Sequence, residues 1–359
     1  MAFPSFAARS IEALGFAVLL AGVVETLPTV AQAQEPAATP ASGYHLDATW
    51  KLGGEGGWDY LTVDAQAHRL YVTRPDRVQV VDTDKGTLVG EMPGLEGGHG
   101  TAFVPELGRG FATSGKSGTV LVFDLQTLKA VGEPVKVGKK PDAIIYEPLT
   151  KHVFAFNGDS ADATVIDAAT AKVVATVPLG GAPEFAVSDG KGTLFVNLED
   201  KSETLAIDVQ KNTVVHRWPL APGDAPTGLA LDPTKRRLYA GCHNEQMIVL
   251  DADAGKVLGS LPIGKGVDAD AFDPATGFAF ASCGDGSLTV AKEEPAGTFH
   301  VVERVNTRPG ARTMALDPQT HAVYVAAADF EPAPTPGPDG KRARPKMVAG
   351  TFVILKFVR

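Results

Sequence analysis

Apolar and polar positions alternate along most of the chain in short runs, and Asp, Asn, Gly and Pro separate the runs. A period of two is that of half-buried β-strands, and no stretch of helical period is long enough to compete. One phrase recurs: an apolar stretch, an Asp or a substitute, a few polar residues, then an apolar-aromatic strand. It reads "LTVDAQAHRLYV", "LALDPTKRRLYA" and "ALDPQTHAVYV" in its clearest copies. The Asp-like position falls at Asp64, Pro105, Glu147, Ser188, Asp232, Asp273 and Asp317, with gaps of 41, 42, 41, 44, 41 and 44 residues. A second phrase follows, as in "ATVIDAATAKVVATVPLG", carrying Asp82, Asp124, Asp167, Asp208 and Asp251, and it degrades to "LTVAKEE" and "TFVILKF" in the last two units.

Each unit therefore holds four short strands. Seven such units predict an all-β fold, a seven-bladed β-propeller with four-stranded blades. The last unit offers only three strands before Arg359. Its outer strand is expected from "YHLDATWKLG", Tyr44 to Gly53, so that an N-terminal strand completes the C-terminal blade and removes the open sheet edges. Gly54 to Gly57 would then carry the chain from the rim to the axis.

The first residues carry a different pattern. Arg9, an apolar run from Leu14 to Val24 and Ala31-Gln32-Ala33 predict a signal peptide over residues 1–33, with cleavage before Gln34. Residues 34–43 read as a linker and 44–359 as one propeller domain, placing the protein in the periplasm or outside the cell. Within it, residues 331–346, rich in proline and with four basic residues, read as a mobile insertion in the last blade. Loss of the signal removes one arginine and two glutamates, so a net charge of −9 becomes −8. That acidity argues against nucleic acid as a partner. A monomer without a membrane span is expected.

The phrase "LYV…VxVID…TGKVVATVPLG" resembles the YVTN-repeat (YncE-like) periplasmic seven-bladed β-propeller family over residues 44–359. The resemblance implies an exported propeller with a binding or scaffold role, and single-stranded DNA has been proposed as a ligand for some members. Separately, "GGEGGWD" is similar to the entry motif "GEGPxWD" of the gluconolactonase and senescence-marker propellers. That likeness implies a metal-ligand role for Glu55.

In a propeller the innermost strands line a central channel, and the residues that open them ring one mouth. The repeat alignment puts Asp59, His99 (or Gly100), Asp142, Glu184, Thr227, Asp268 and Arg312 at one register, with Trp58 beside them. Ligand-binding candidates are Trp58, Asp59, His99, Asp142, Glu184, Asp268 and Arg312. Crowded carboxylates raise one another's pKa values or recruit a cation, so Asp59, Asp142, Glu184 and Asp268 are candidate ligands for a divalent cation such as Ca²⁺, Mg²⁺, Mn²⁺ or Zn²⁺. The competing account is that polar strand starts merely face a wet channel and bond to backbone N–H groups. His99, Glu184 and Arg312 are the candidate catalytic groups. No cofactor is demanded.

Two functions remain open on these residues. One is a binding or scaffold propeller engaging a small molecule, cation or protein segment at the acidic mouth. The other is a metal-assisted hydrolase or lactonase acting there. No Ser-His-Asp set, phosphate loop, CxxC or HExxH occurs in usable spacing. Asn157, Asn197 and Cys242-His243-Asn244 stand at strand ends, as a second layer of the pocket or as ordinary turns. Cys242 and Cys283 occupy equivalent positions in neighbouring blades, open to a disulfide, buried free thiols or a Cys/His site with His243.

Overall fold

The computed structural model describes residues 42–332 and 345–359. The expected signal peptide, most of the linker and the body of the blade-seven insertion lie outside the described residues. Among the described residues the chain forms seven four-stranded antiparallel sheets, six of them in sequence order. The innermost strand of each blade packs on that of the next, and Met314–Leu316 of blade seven reaches Leu61–Asp64 of blade one. The ring is closed. No described helix is long and apolar enough to cross a membrane.

The recurring aspartates are turn caps. Asp82 Oδ1 accepts the N–H groups of Asp84 at 3.0 Å and Lys85 at 2.9 Å. Asp232 does the same for Thr234 and Lys235, and Asp251 for Asp253 and Ala254. An aspartate that bonds its own backbone two and three residues on fixes the hairpin turn, which is why the residue recurs at one register. Where blade four has Ser188 instead, Asp189 one residue later accepts from Lys191 and Thr193. Between blades, the middle strands supply the core: Phe154 and Val165 of blade three meet Leu194 and Ile207 of blade four with no exposed surface.

His45–Lys51 completes blade seven, pairing antiparallel with Val353–Val358 from His45 opposite Val358 to Lys51 opposite Val353. Its start is pinned by Ser42, whose N–H and hydroxyl both donate to Glu303, and by the Tyr44 hydroxyl, which donates to the His321 carbonyl at 2.9 Å. Further along, Trp50 lies on the blade-one turn at Gly86, where φ is +67° and an added Cβ would stand 2.2 Å from the indole. Only glycine fits there. The insertion of blade seven has an ordered neck, with Glu331 N–H donating to the Lys346 carbonyl at 2.8 Å and Phe330 bridging Met347. Both cysteines are free and buried, so neither a disulfide nor a Cys/His site forms among the described residues.

The crossing from Gly53 to Gly57 is organised by a residue that the repeat pattern does not single out. Arg74 is fully buried, and its guanidinium donates to the carbonyls of Gly57 at 2.8 Å, Glu55 at 2.9 Å and Gly56 at 2.8 Å. It also donates to Gln79 Oε1 at 2.8 Å, and it lies over the Phe352 ring at 4.2 Å. Burial brings its pKa down to about 10, which still leaves it charged at neutral pH. A planar fork of five donors suits this set of carbonyls, and a lysine ammonium does not. Arg74→Lys should lower the free energy of unfolding by ~3 kcal/mol or more, because several buried carbonyls lose their donors. Arg77→Lys, which disturbs only the surface pairs with Asp76 and Glu91, should cost less than ~1 kcal/mol. Equal midpoints for the two variants in guanidinium denaturation would show that Arg74 does not hold the crossing.

Candidate functional site

The innermost strands slip register at the site residues. His99 falls in the break between Gly98 and Thr101, Asp142 between Pro141 and Ile144, and Glu184 between Pro183 and Ala186. Thr227 and Asp268 sit in the corresponding breaks of blades five and six. A bulge re-aims the side chain it carries, and here the repeated bulge turns these side chains to one mouth. Asp59 and Arg312 stand just ahead of their innermost strands, with Asp59 N–H donating to the Thr73 carbonyl at 3.0 Å.

Three carbonyls at the mouth, two of them inside bulges, are taken up by side chains of the neighbouring blade. Thr113 Oγ1 donates to the Asp142 carbonyl at 2.7 Å, Asn197 Nδ2 to the Gly228 carbonyl at 2.9 Å, and Ser282 Oγ to the Arg312 carbonyl. All three donors hold the fifth position of a second strand. Asn197 is thus an inter-blade clamp, neither a turn residue nor a pocket wall, while Asn157 bonds locally to Asp162 and Thr164. Where blade five has Gly241 at that position, its N–H donates to Asp270 Oδ2 at 2.5 Å.

Three of the expected residues meet. His99 Nδ1 stands 2.5 Å from Asp59 Oδ2 and 3.5 Å from Asp142 Oδ1. One ligand atom from each of the three lies within 4.8 Å of the others. Among the described residues this is the grouping of His, Cys, Asp and Glu side chains close enough to share a metal ion. Blade two takes the register through His99, since Gly100 packs on the next blade, where an added Cβ would be crowded 3.1 Å from the Asp142 carbonyl oxygen. Gly115 makes room for the imidazole: a Cβ there would stand 2.7 Å from His99 Nε2.

Burial alone would lower the His99 pKa, but the hydrogen bond to Asp59 and the charge of Asp142 outweigh it and the pKa rises. Burial raises the Asp142 carboxyl, with the Asp59 charge adding to it and His99 opposing. Glu184 is pushed up to about 8, first by burial and then by the charges of Asp142, Glu199 and Asp268. Its folded-state pKa exceeds the unfolded one, so the protonated acid is the favoured form and the fold loses stability as pH rises through the folded value. The hairpin carboxylates behave oppositely: backbone donors lower Asp82 and Asp124 below the usual range.

The remaining expected residues divide. Asp268 accepts from Thr313 Oγ1 at 2.6 Å and lies 3.6 Å from Arg312 Nε, so Arg312 is in an ion pair. Thr227 Oγ1 donates to the Val267 carbonyl at 3.3 Å, a structural bond. Trp58 packs between Phe352 and Phe330, at 5.1 and 6.0 Å, and separates two cavities on this face. Glu55 is exposed on the crossing, with its carbonyl held by Arg74, and it is not part of the Asp59–His99–Asp142 group.

Tyr60 is a site residue that the register did not flag. Its ring stacks on Phe185 from blade four at 4.4 Å, closing the channel below the mouth. The hydroxyl is buried and has no hydrogen-bond partner among the described residues. Burial, reinforced by Asp142, Glu184, Asp59 and Asp268, drives its pKa well above the usual range. A neutral phenol therefore lies within electrostatic reach of the four acidic groups of the mouth. Its sequence signal was available: Tyr60 and Phe185 are aromatic at the same step after Asp59 and Glu184.

No family model and no curated protein matches the chain. Among solved structures it is similar to Kuenenia stuttgartiensis hydrazine synthase, with a TM-score of 0.68 and 17% identity over 76% of this chain and 92% of that one. At that identity the likeness concerns the propeller fold alone.

The triad makes a direct prediction. His99 should titrate above the usual histidine range in NMR of the imidazole resonances, and Asp59→Asn should bring its pKa down by removing the largest stabilising partner of the imidazolium. An unchanged His99 titration in that variant would show that the 2.5 Å contact does not set its charge.

Proposed function

We propose that this is an exported binding propeller, related in its repeat phrase to the YVTN-repeat propellers, and that its channel mouth holds a divalent cation. The observation carrying this reading is the grouping of Asp59, His99 and Asp142 around one point. His99 Nδ1 faces both carboxylates, so three atoms that share a proton can instead share a cation. Two carboxylate oxygens with one imidazole nitrogen suit Mn²⁺, Zn²⁺ or Ca²⁺. The unpartnered Tyr60 hydroxyl supports the same reading, because a buried polar atom within reach of these carboxyl groups lacks a protein partner. Further round the ring stand Asp268, paired with Arg312, and Glu184, an acid favoured in its neutral form.

The hydrolase reading has one observation in its favour: Glu184, pushed up to about 8, is an acid held neutral at the mouth. The other support, the Glu55 likeness, falls away with that side chain outside the triad. Binding is the better reading.

Titration calorimetry with MnCl₂ on the mature chain should show one cation per chain. Asp59→Asn and His99→Ala should each weaken it at least about tenfold, roughly 1.4 kcal/mol, while Arg312→Ala leaves it within about twofold, less than ~0.5 kcal/mol. Absence of binding with MnCl₂, CaCl₂ and ZnCl₂, or affinity indifferent to Asp59 and His99, contradicts the reading. Metal-dependent turnover of a lactone or ester would move the function to the hydrolase.

A further inference from the structure

The cavity beside the triad has a wall of opposite charge. It measures about 930 Å³ over blades one to three, and Asp59 and His99 form part of its lining. Lys116, Lys136, Lys139 and Lys140 also line it, with Asp159 the one further carboxylate. The chain as a whole carries −9, so four lysines at one cavity run against its charge. None of the four is in an ion pair among the described residues. Lys136 Nζ donates only to the Ser117 carbonyl, at 3.2 Å.

The wall is built as well as charged. The Lys116 stem lies on Gly97, where a Cβ would stand 2.9 Å from its Cγ, and the Lys140 stem lies over Gly158, 3.6 Å from its Cδ. Glycine at 97 has φ of +70°, which also favours its lack of a side chain. The bare backbone leaves each lysine stem a surface to lie along while its ammonium stays in water. Lys140 is near enough to the triad for its charge to act on Asp142 and His99.

We infer that this cavity is an anion subsite, and that the ligand of the mouth is a small multivalent oxyanion taken together with the cation. The ammonium groups of Lys116, Lys139 and Lys140 would hold the anionic end, and the Asp59–His99–Asp142 cation would bind a second oxygen of the same molecule. Phosphate esters, pyrophosphate and tricarboxylates share this chemistry. The cation half of the inference rests on the function proposed above; the lysine half does not.

Two probes, inorganic pyrophosphate and citrate, distinguish phosphorus from carbon oxyanions in calorimetry with and without MnCl₂. The variant is Lys116→Ala, Lys139→Ala, Lys140→Ala combined, at three exposed positions, checked for an unchanged melting temperature. The expected result is binding of at least one probe to the Mn²⁺-loaded protein, weakened at least about tenfold in the triple variant, with Mn²⁺ affinity itself kept or tightened. Probe binding that needs the lysines but no metal keeps the anion subsite and overturns its joint action with the cation. Mn²⁺ binding with neither probe bound, or with binding indifferent to the lysines, overturns the inference and leaves the cation reading standing. No binding of either kind overturns both.

Discussion

The constraint on which the mouth depends is that seven inner strands must converge on one axis and still satisfy their backbones. Each bulge that turns a side chain to the mouth breaks the ladder with its own second strand. In two blades the neighbour takes up a carbonyl at the break, through Thr113 to Asp142 and Asn197 to Gly228, and Ser282 does the same for the Arg312 carbonyl just ahead of the seventh inner strand. A buried carbonyl left without such a donor costs about 1–3 kcal/mol. Site and fold are therefore one structure: the hydrogen bond that fixes the Asp142 backbone also joins blades two and three.

The same chemistry gives carboxyl groups two opposite characters in this molecule. At the hairpins they face water and several N–H donors, and their pKa values fall. At the mouth they face one another and the closed Tyr60–Phe185 floor, and those of Asp142, Glu184 and Asp268 rise. Burial is the leading cause for each of the three. A cation, or the protonated His99, is what such a site attracts.

How much of this was legible follows from what each residue does locally. The hairpin aspartates cap turns by contacts within three residues, so their spacing exposed the blades, the closing strand and the mouth register, including Asp142, Glu184 and Asp268. The pairing of Asp59 with His99 spans forty residues and depends on how far a bulge rotates a side chain, which spacing does not encode. Arg74 was missed although a signal existed. It ends "RLYVTR" at the position filled elsewhere by Ser114, Asn157, Leu198, Cys242, Cys283 and Ala327, all buried. A charged residue among buried neutral ones asks for a set of acceptors, and the glycine crossing supplies them. The same alignment accounts for the two cysteines as small buried fillers.

The central claim is that the crowding of Asp59, His99 and Asp142 exists to be shared by a cation. Anomalous diffraction at the manganese edge, from crystals of the protein equilibrated with MnCl₂, tests it most directly. The account predicts one strong peak within about 2.5 Å of an oxygen of Asp59, an oxygen of Asp142 and a nitrogen of His99, a distance typical of oxygen ligation. A peak bound elsewhere, or none while His99 stays hydrogen-bonded to Asp59, would contradict it.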